Sequence, residues 1–121
     1  MKTLSLKEEE IMNVLWKEGP LFMREILEFF DAPKPHFNTL STMVRRLEAS
    51  QFIAHKIFGS RNFQYYAQIS KDEYEHYIQQ KTIGKYLNGS YMGFISRLVK
   101  EEEISIDELK ELIKKVEQQN S

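Results

Sequence analysis

The side chains best equipped to meet a partner lie between Pro35 and Ile69. Asn38, Thr39, Ser41, Thr42, Arg45 and Arg46 fall in one short stretch, and their types suit the major groove of a DNA duplex. Amide and guanidinium groups pair with base edges there, while hydroxyl and methyl groups meet phosphate or a thymine methyl. Asn38 fits an adenine edge, Thr39 or Thr42 a thymine methyl or a phosphate, and Arg45 or Arg46 a guanine or the backbone. Arg61, farther along, suits a phosphate or the minor groove, and Lys34 and Lys56 could add backbone contacts. A plain solvated face with this composition is the simpler alternative. Such faces normally carry glutamate as well, and here Glu48 is the only acid from Pro35 to Ile69. A carboxylate facing the phosphates would repel them, so the scarcity favours DNA.

Covalent chemistry finds no comparable cluster. HExxH, GxSxG, a glycine-rich phosphate loop and GK[ST] are all missing from the sequence. Glu8-Glu9-Glu10 and Glu101-Glu102-Glu103 read as solvated helix faces or ends rather than as paired catalytic carboxylates. His36, His55 and His76 have no metal-ligand spacing among them, and the chain has no cysteine. Disulfides, thiolate metal sites and cysteine nucleophiles are therefore excluded. No enzymatic activity, no cofactor and no metal are expected.

The elements needed to position the polar cluster are legible. Ser5 and Glu8 form a capping-box pattern, followed by Leu6, Ile11, Met12, Leu15 and Trp16 at helical spacing. Gly19-Pro20 ends that helix. A second runs from about Met23 to Phe30, and Asp31 to Pro35 is a turn, because two close prolines cannot sit within a helix. A third spans about His36 to Ala49, with Phe37, Leu40, Met43, Val44 and Leu47 on one stripe. At ~100° per residue, Asn38, Thr42 and Arg45 lie opposite that stripe, with Ser41 and Arg46 on its flanks. Ile53–Phe58 and Phe63–Ile69 read as two strands of a hairpin joined at Gly59–Asn62. Three helices followed by a two-stranded ribbon with a basic tip describe a winged helix-turn-helix.

A second segment begins at Ser70, where Ser70 and Glu73 repeat the capping-box pattern. It predicts a helix to about Asn88-Gly89, another over Tyr91–Val99, and a last one capped by Ser105 and Glu108. Such apolar faces after a small complete domain need covering, and a second copy of the chain is the natural cover. Ile83, Leu87, Phe94, Ile95, Leu98, Leu109, Leu112, Ile113 and Val116 are the expected dimerisation residues. The expected fold is thus mainly α with a small β-hairpin. Residues 1–69 form a winged-helix DNA-binding domain and residues 70–121 a helical dimerisation region.

Composition agrees with this. The chain has 121 residues, 41% of them hydrophobic and 29% charged, as in a soluble globular domain. Its net charge of −1 hides a strong asymmetry. Residues 32–66 carry five Lys/Arg against one acid, whereas residues 1–31 carry four against seven and residues 101–121 three against seven. A basic middle between acidic ends points to an anionic partner at the middle. The start turns acidic without the apolar core of a signal peptide, and no stretch approaches a membrane span, so a cytoplasmic protein without membrane insertion is expected.

The sequence also resembles the family of penicillinase and methicillin-resistance repressors and their copper-transport relatives. The resemblance lies in Leu6, Glu10-Ile11-Met12 and Trp16; Gly19-Pro20-Leu21 with Arg24-Glu25-Ile26; Asn38-Thr39-Leu40-x-Thr42 with Arg46-Leu47; Phe63-Gln64-Tyr65-Tyr66; and Glu102 to Ser105 leading into Glu108-Leu109-x-Glu111-Leu112. It implies a homodimeric repressor on a palindromic operator with TACA/TGTA-type half-sites, controlling genes of antibiotic resistance or metal handling. In the resistance branch it further implies a sensor-linked metalloprotease and cleavage within the helical region. The position matching that branch's Asn-Phe cleavage bond is Arg97-Leu98. The copper branch's metal-binding cysteine cluster has no counterpart here. Two other readings stay open at this stage: a winged-helix module that binds protein, and a regulator with an effector pocket among Tyr74, Tyr77, Tyr86 and Tyr91.

Overall fold

The computed structural model describes residues 1–86 and 91–120, the side chains of Ile83, Tyr86 and Asn120 excepted. Among these residues the order is α1 (Leu6–Glu18), β1 (Leu21–Phe22), α2 (Met23–Glu28), α3 (Phe37–Ala49), β2 (Ile53–Phe58), β3 (Asn62–Ala67), α4 (Lys71–Tyr86), α5 (Tyr91–Lys100) and α6 (Ile106–Asn120). The mainly helical winged-helix architecture is as expected. The chain divides into two compact units, Met1–Tyr77 and Ile78–Ser121.

Helix starts follow the caps. Ser5 accepts from the Glu8 N–H at 3.2 Å while Glu8 accepts from the Ser5 N–H at 2.9 Å. Ser70 with Glu73 opens α4 in the same reciprocal way, and Ser105 with Glu108 opens α6. Burial by itself would raise the Glu8 carboxyl. Its bonds to the Lys2 ammonium and to Ser5 outweigh that and hold it below its ordinary value. Gly19, at φ 83°, closes α1 through its N–H on the Leu15 carbonyl at 3.0 Å.

The first unit corrects the expected two-stranded ribbon. Its sheet has three antiparallel strands in the order β1-β3-β2. Leu21 pairs with Tyr65 and Phe22 with Gln64, while β2 and β3 pair from Ile53 opposite Ala67 to Phe58 opposite Asn62. The extra strand is only two residues long, too short for alternation to mark it. Helix α2 ends at Glu28, two residues before the expected Phe30. The Lys34 ammonium sits on the carbonyls of Leu27 and Glu28 at 3.4 and 3.0 Å, so it caps that helix rather than standing free for phosphate.

Ile11, Met12, Leu15, Ile26, Leu40, Val44, Leu47, Phe52 and Ile53 form the core. Leu6 and Phe37, both read as inward, are 81% and 41% exposed. Each is the first residue of its helix, beyond the turn that the core covers. At the far end of α3 the chain makes a tight turn toward β2. The N–H groups of Gln51 and Phe52 reach the carbonyls of Glu48 and Leu47 at 3.0 and 2.9 Å, with Gln51 at φ 68°. A non-glycine there costs on the order of 1 kcal/mol, which burial of Phe52 offsets.

The start of α4 belongs to this unit because Tyr74 is buried in it. The Tyr74 ring lies 5.9 Å from both Trp16 and Phe52, and its hydroxyl accepts the buried Leu4 N–H at 2.8 Å. Burial pushes the phenol up; the Leu4 bond opposes that and Glu9 adds to it. Tyr74 is therefore a core residue rather than a pocket liner. Tyr74→Phe strands the Leu4 N–H, and urea denaturation should show a loss of about 1–3 kcal/mol. A loss near zero would mean that the bond contributes nothing.

In the second unit, no described residue of α5 is buried. Phe94, Leu112, Ile113 and Val116 are exposed, and Ile95, Leu98 and Leu109 are half-buried. Leu87 and the Ile83 side chain lie outside the described residues. No described helix is long and apolar enough to cross a membrane.

Candidate nucleic-acid interface

Helix α3 separates its residues by environment. Leu40, Val44 and Leu47 are turned into the core, while Asn38, Thr39, Thr42, Arg45 and Arg46 are exposed. Ser41 departs from the expectation: at 8% exposure it lies with the inward residues and not on the exposed face of α3. A flank position is open or covered according to what packs beside the helix, and periodicity does not specify that.

The start of α3 differs from those of α1, α4 and α6. Its N-cap, His36, makes no side-chain cap bond, and no acid occupies its first turn. An uncapped first turn leaves amide N–H groups and positive dipole density facing outward, an arrangement that favours an anion. Thr42 donates its hydroxyl proton to the Asn38 carbonyl at 2.9 Å, which leaves its methyl group and oxygen lone pairs to a partner.

Beside α3, the β2–β3 hairpin forms the wing. Successive strand residues face opposite ways. His55 and Tyr65, which are paired in register, therefore face α3, and Lys56 and Gln64 face away. Glu48, the one acid of this region, is bonded through its carboxylate to Nδ1 of His55. The His55 ring stacks on Phe63 at 4.4 Å and meets Tyr65 edge-on at 5.8 Å. This cluster ties the C-terminal end of α3 to the wing. Burial pushes the Tyr65 phenol up, with Glu48 adding to the effect and Arg45 opposing it.

Arg61 is exposed in the loop at the wing tip, after Gly59 at φ 69°. Lys56 lies 5.9 Å from the Tyr66 ring, on the sheet face away from α3, and is not grouped with the exposed residues of that helix. Arg24, which the sequence did not single out, lies on the α3 side. From the first turn of α2 its guanidinium stands 5.5 Å from the ring centre of Phe37, at the start of α3. The signal available was an arginine at the start of α2, which spacing alone does not connect to Phe37.

The resistance-branch position Arg97-Leu98 falls inside α5, with Arg97 Nε donating to Glu101 at 3.2 Å. The Leu98 carbonyl accepts from the N–H groups of Glu103 and Ile104 at 3.0 and 3.3 Å. Among the described residues, no group of His, Asp and Glu is arranged to hold a metal ion.

Comparison with known proteins agrees with this arrangement. The pattern of the family described as penicillinase repressor matches residues 4–118. The methicillin resistance regulatory proteins MecI of Staphylococcus aureus (strain N315) and Staphylococcus epidermidis are each 27% identical over 110 residues, covering 90% of this chain and 89% of theirs. The corresponding protein of Mammaliicoccus sciuri is 26% identical over the same shares of both chains. The match runs through the winged unit and on through the helices that follow it, and the chain belongs to the penicillinase repressor family.

Proposed function

We propose that this protein is a homodimeric transcriptional repressor that binds a palindromic operator in double-stranded DNA. One observation carries the reading. The exposed face of α3 presents Asn38, Thr39, Thr42, Arg45 and Arg46 beside a wing, and Glu48, the only acid from Pro35 to Ile69, is engaged by His55. Arg61 holds the backbone from the wing. The names of the relatives tie them to regulation of methicillin resistance, and control of antibiotic-resistance genes is the role proposed here. Operator binding places the protein in the cytoplasm.

The apolar residues of α5 and α6 that stay exposed among the described residues support dimerisation. Two linked reading heads on two half-sites bind more tightly than one by about 10²–10⁴-fold, through effective concentration alone. Relief of repression by cutting the helical region follows the same physics, because it removes the linkage and leaves the reading head whole. A sensor-linked protease acting at Arg97-Leu98 would have to open α5 first, because the bond lies within hydrogen-bonded helix.

Gel-shift titration at several salt concentrations tests the reading, using a duplex with inverted TACA/TGTA-type half-sites. The logarithm of affinity should fall by ~0.9 per phosphate contact for each tenfold rise in salt. Arg46→Ala and Thr42→Ala should weaken binding, the arginine by about 1–3 kcal/mol, with an unchanged circular dichroism spectrum. A flat salt response would point instead to a protein partner for the winged unit.

A further inference from the structure

A groove of about 330 Å³ lies between the start of α2, the start of α3 and the wing. Phe22, Met23, Phe37 and Phe63 give it apolar walls, and Arg24 and Arg61 give it two positive charges. No carboxylate is among its described lining residues, and neither arginine has an acid within 4 Å among them. The nearest acid in sequence, Glu25, is occupied in accepting the Phe22 N–H at 2.8 Å. Phe37 and Phe63 stay 41% and 40% exposed, so their rings are open to a ligand in the groove.

Two guanidiniums without an acid within 4 Å among the described residues, that of Arg24 over the half-exposed Phe37 ring, suit a ligand with alternating anionic and apolar parts. A DNA strand is such a ligand, with a phosphate and a deoxyribose face in each nucleotide. The groove also lies at the first turn of α3, the helix that carries Asn38 and Thr39. We infer that Arg24, held over the Phe37 ring, works with Arg61 as a clamp on the sugar–phosphate strand flanking each half-site, with Phe37 and Phe63 packing on the sugars. This rests on the DNA-binding reading and adds to it a contact without base specificity at a defined place. Guanidinium is well suited to the task, since it stacks on an aromatic face while presenting its N–H fork to phosphate.

Salt titration of the full-length Arg24→Ala protein separates this inference from the reading beneath it. On both the TACA/TGTA duplex and a scrambled duplex of equal length, the salt slope should shrink by about one per subunit. The preference for one duplex over the other should stay unchanged. A steep wild-type slope that Arg24→Ala leaves intact overturns the clamp and leaves operator binding standing. A flat wild-type slope overturns both. A second measurement does not depend on the variant folding well: a single neutral methylphosphonate is walked along the TACA/TGTA duplex outside the half-sites. At the clamped phosphate, wild-type protein should lose about one unit of slope, as for any single phosphate contact. If no flanking position has that effect, the clamp is wrong.

Discussion

Replacing Leu112 with aspartate should convert the protein to monomers and lower its apparent operator affinity by about 10²–10⁴-fold. Leu112 is 51% exposed on α6, near Ile113 and Val116, which are 49% and 47% exposed. A carboxylate placed in the middle of an apolar dimer face is desolvated without a partner, a cost of several kcal/mol. The helix itself should survive. Aspartate costs an α-helix interior less than about 1 kcal/mol relative to leucine, and the Ser105–Glu108 cap is untouched. Sedimentation equilibrium reads the first effect and operator titration the second. An unchanged sedimentation profile would show that this face is not the interface. Monomers that bind the operator as tightly as wild type would show that linkage of the two heads supplies nothing.

Phe52→Ala should destabilise the first unit by about 3–5 kcal/mol. Phe52 is fully buried, and its ring meets Tyr74 edge-on at 5.9 Å. Its backbone is anchored on both sides: its N–H reaches Leu47 at 2.9 Å and its carbonyl accepts from Gln68 at 2.8 Å. The surrounding main chain therefore cannot collapse easily into the vacated space, which places the cost toward the upper end of that range. Thr42→Ala, on the exposed side of α3, should leave stability nearly unchanged by the same urea measurement. The contrast between the two is the physical claim about α3: one side holds the fold, the other is free to bind. Equal losses would mean that Thr42 also serves the core.

Much of the architecture is local chemistry and so could be read from the chain. A serine followed three residues later by glutamate satisfies orphan helix amides within one turn, and the pairs at Ser5, Ser70 and Ser105 all do so. Gly19-Pro20, the prolines at 33 and 35 and the tight turn at Gly59 act on the backbone through their own residues. The β-branched and aromatic content of Ile53–Phe58 and the periodic stripe Leu40-Val44-Leu47 are likewise legible without knowledge of neighbours. Strand β1 was not legible, because two residues carry no period. The tie from Glu48 to His55 was not legible either, since it joins elements that meet only once the wing folds back on α3.

The sequence by itself determined the helices and the two hairpin strands, the polar face of α3 and the positive charge of the region around it. All of these follow from the order of residue types along the backbone. Tertiary structure alone decided that Ser41 is covered and Phe37 left open, that Lys34 caps α2, and that Tyr74 completes the core of the first unit. It also brought Arg24 to the same groove as Arg61. The reason is one of range: caps and periods act within a few residues, whereas burial and charge pairing depend on which distant surfaces come to lie side by side.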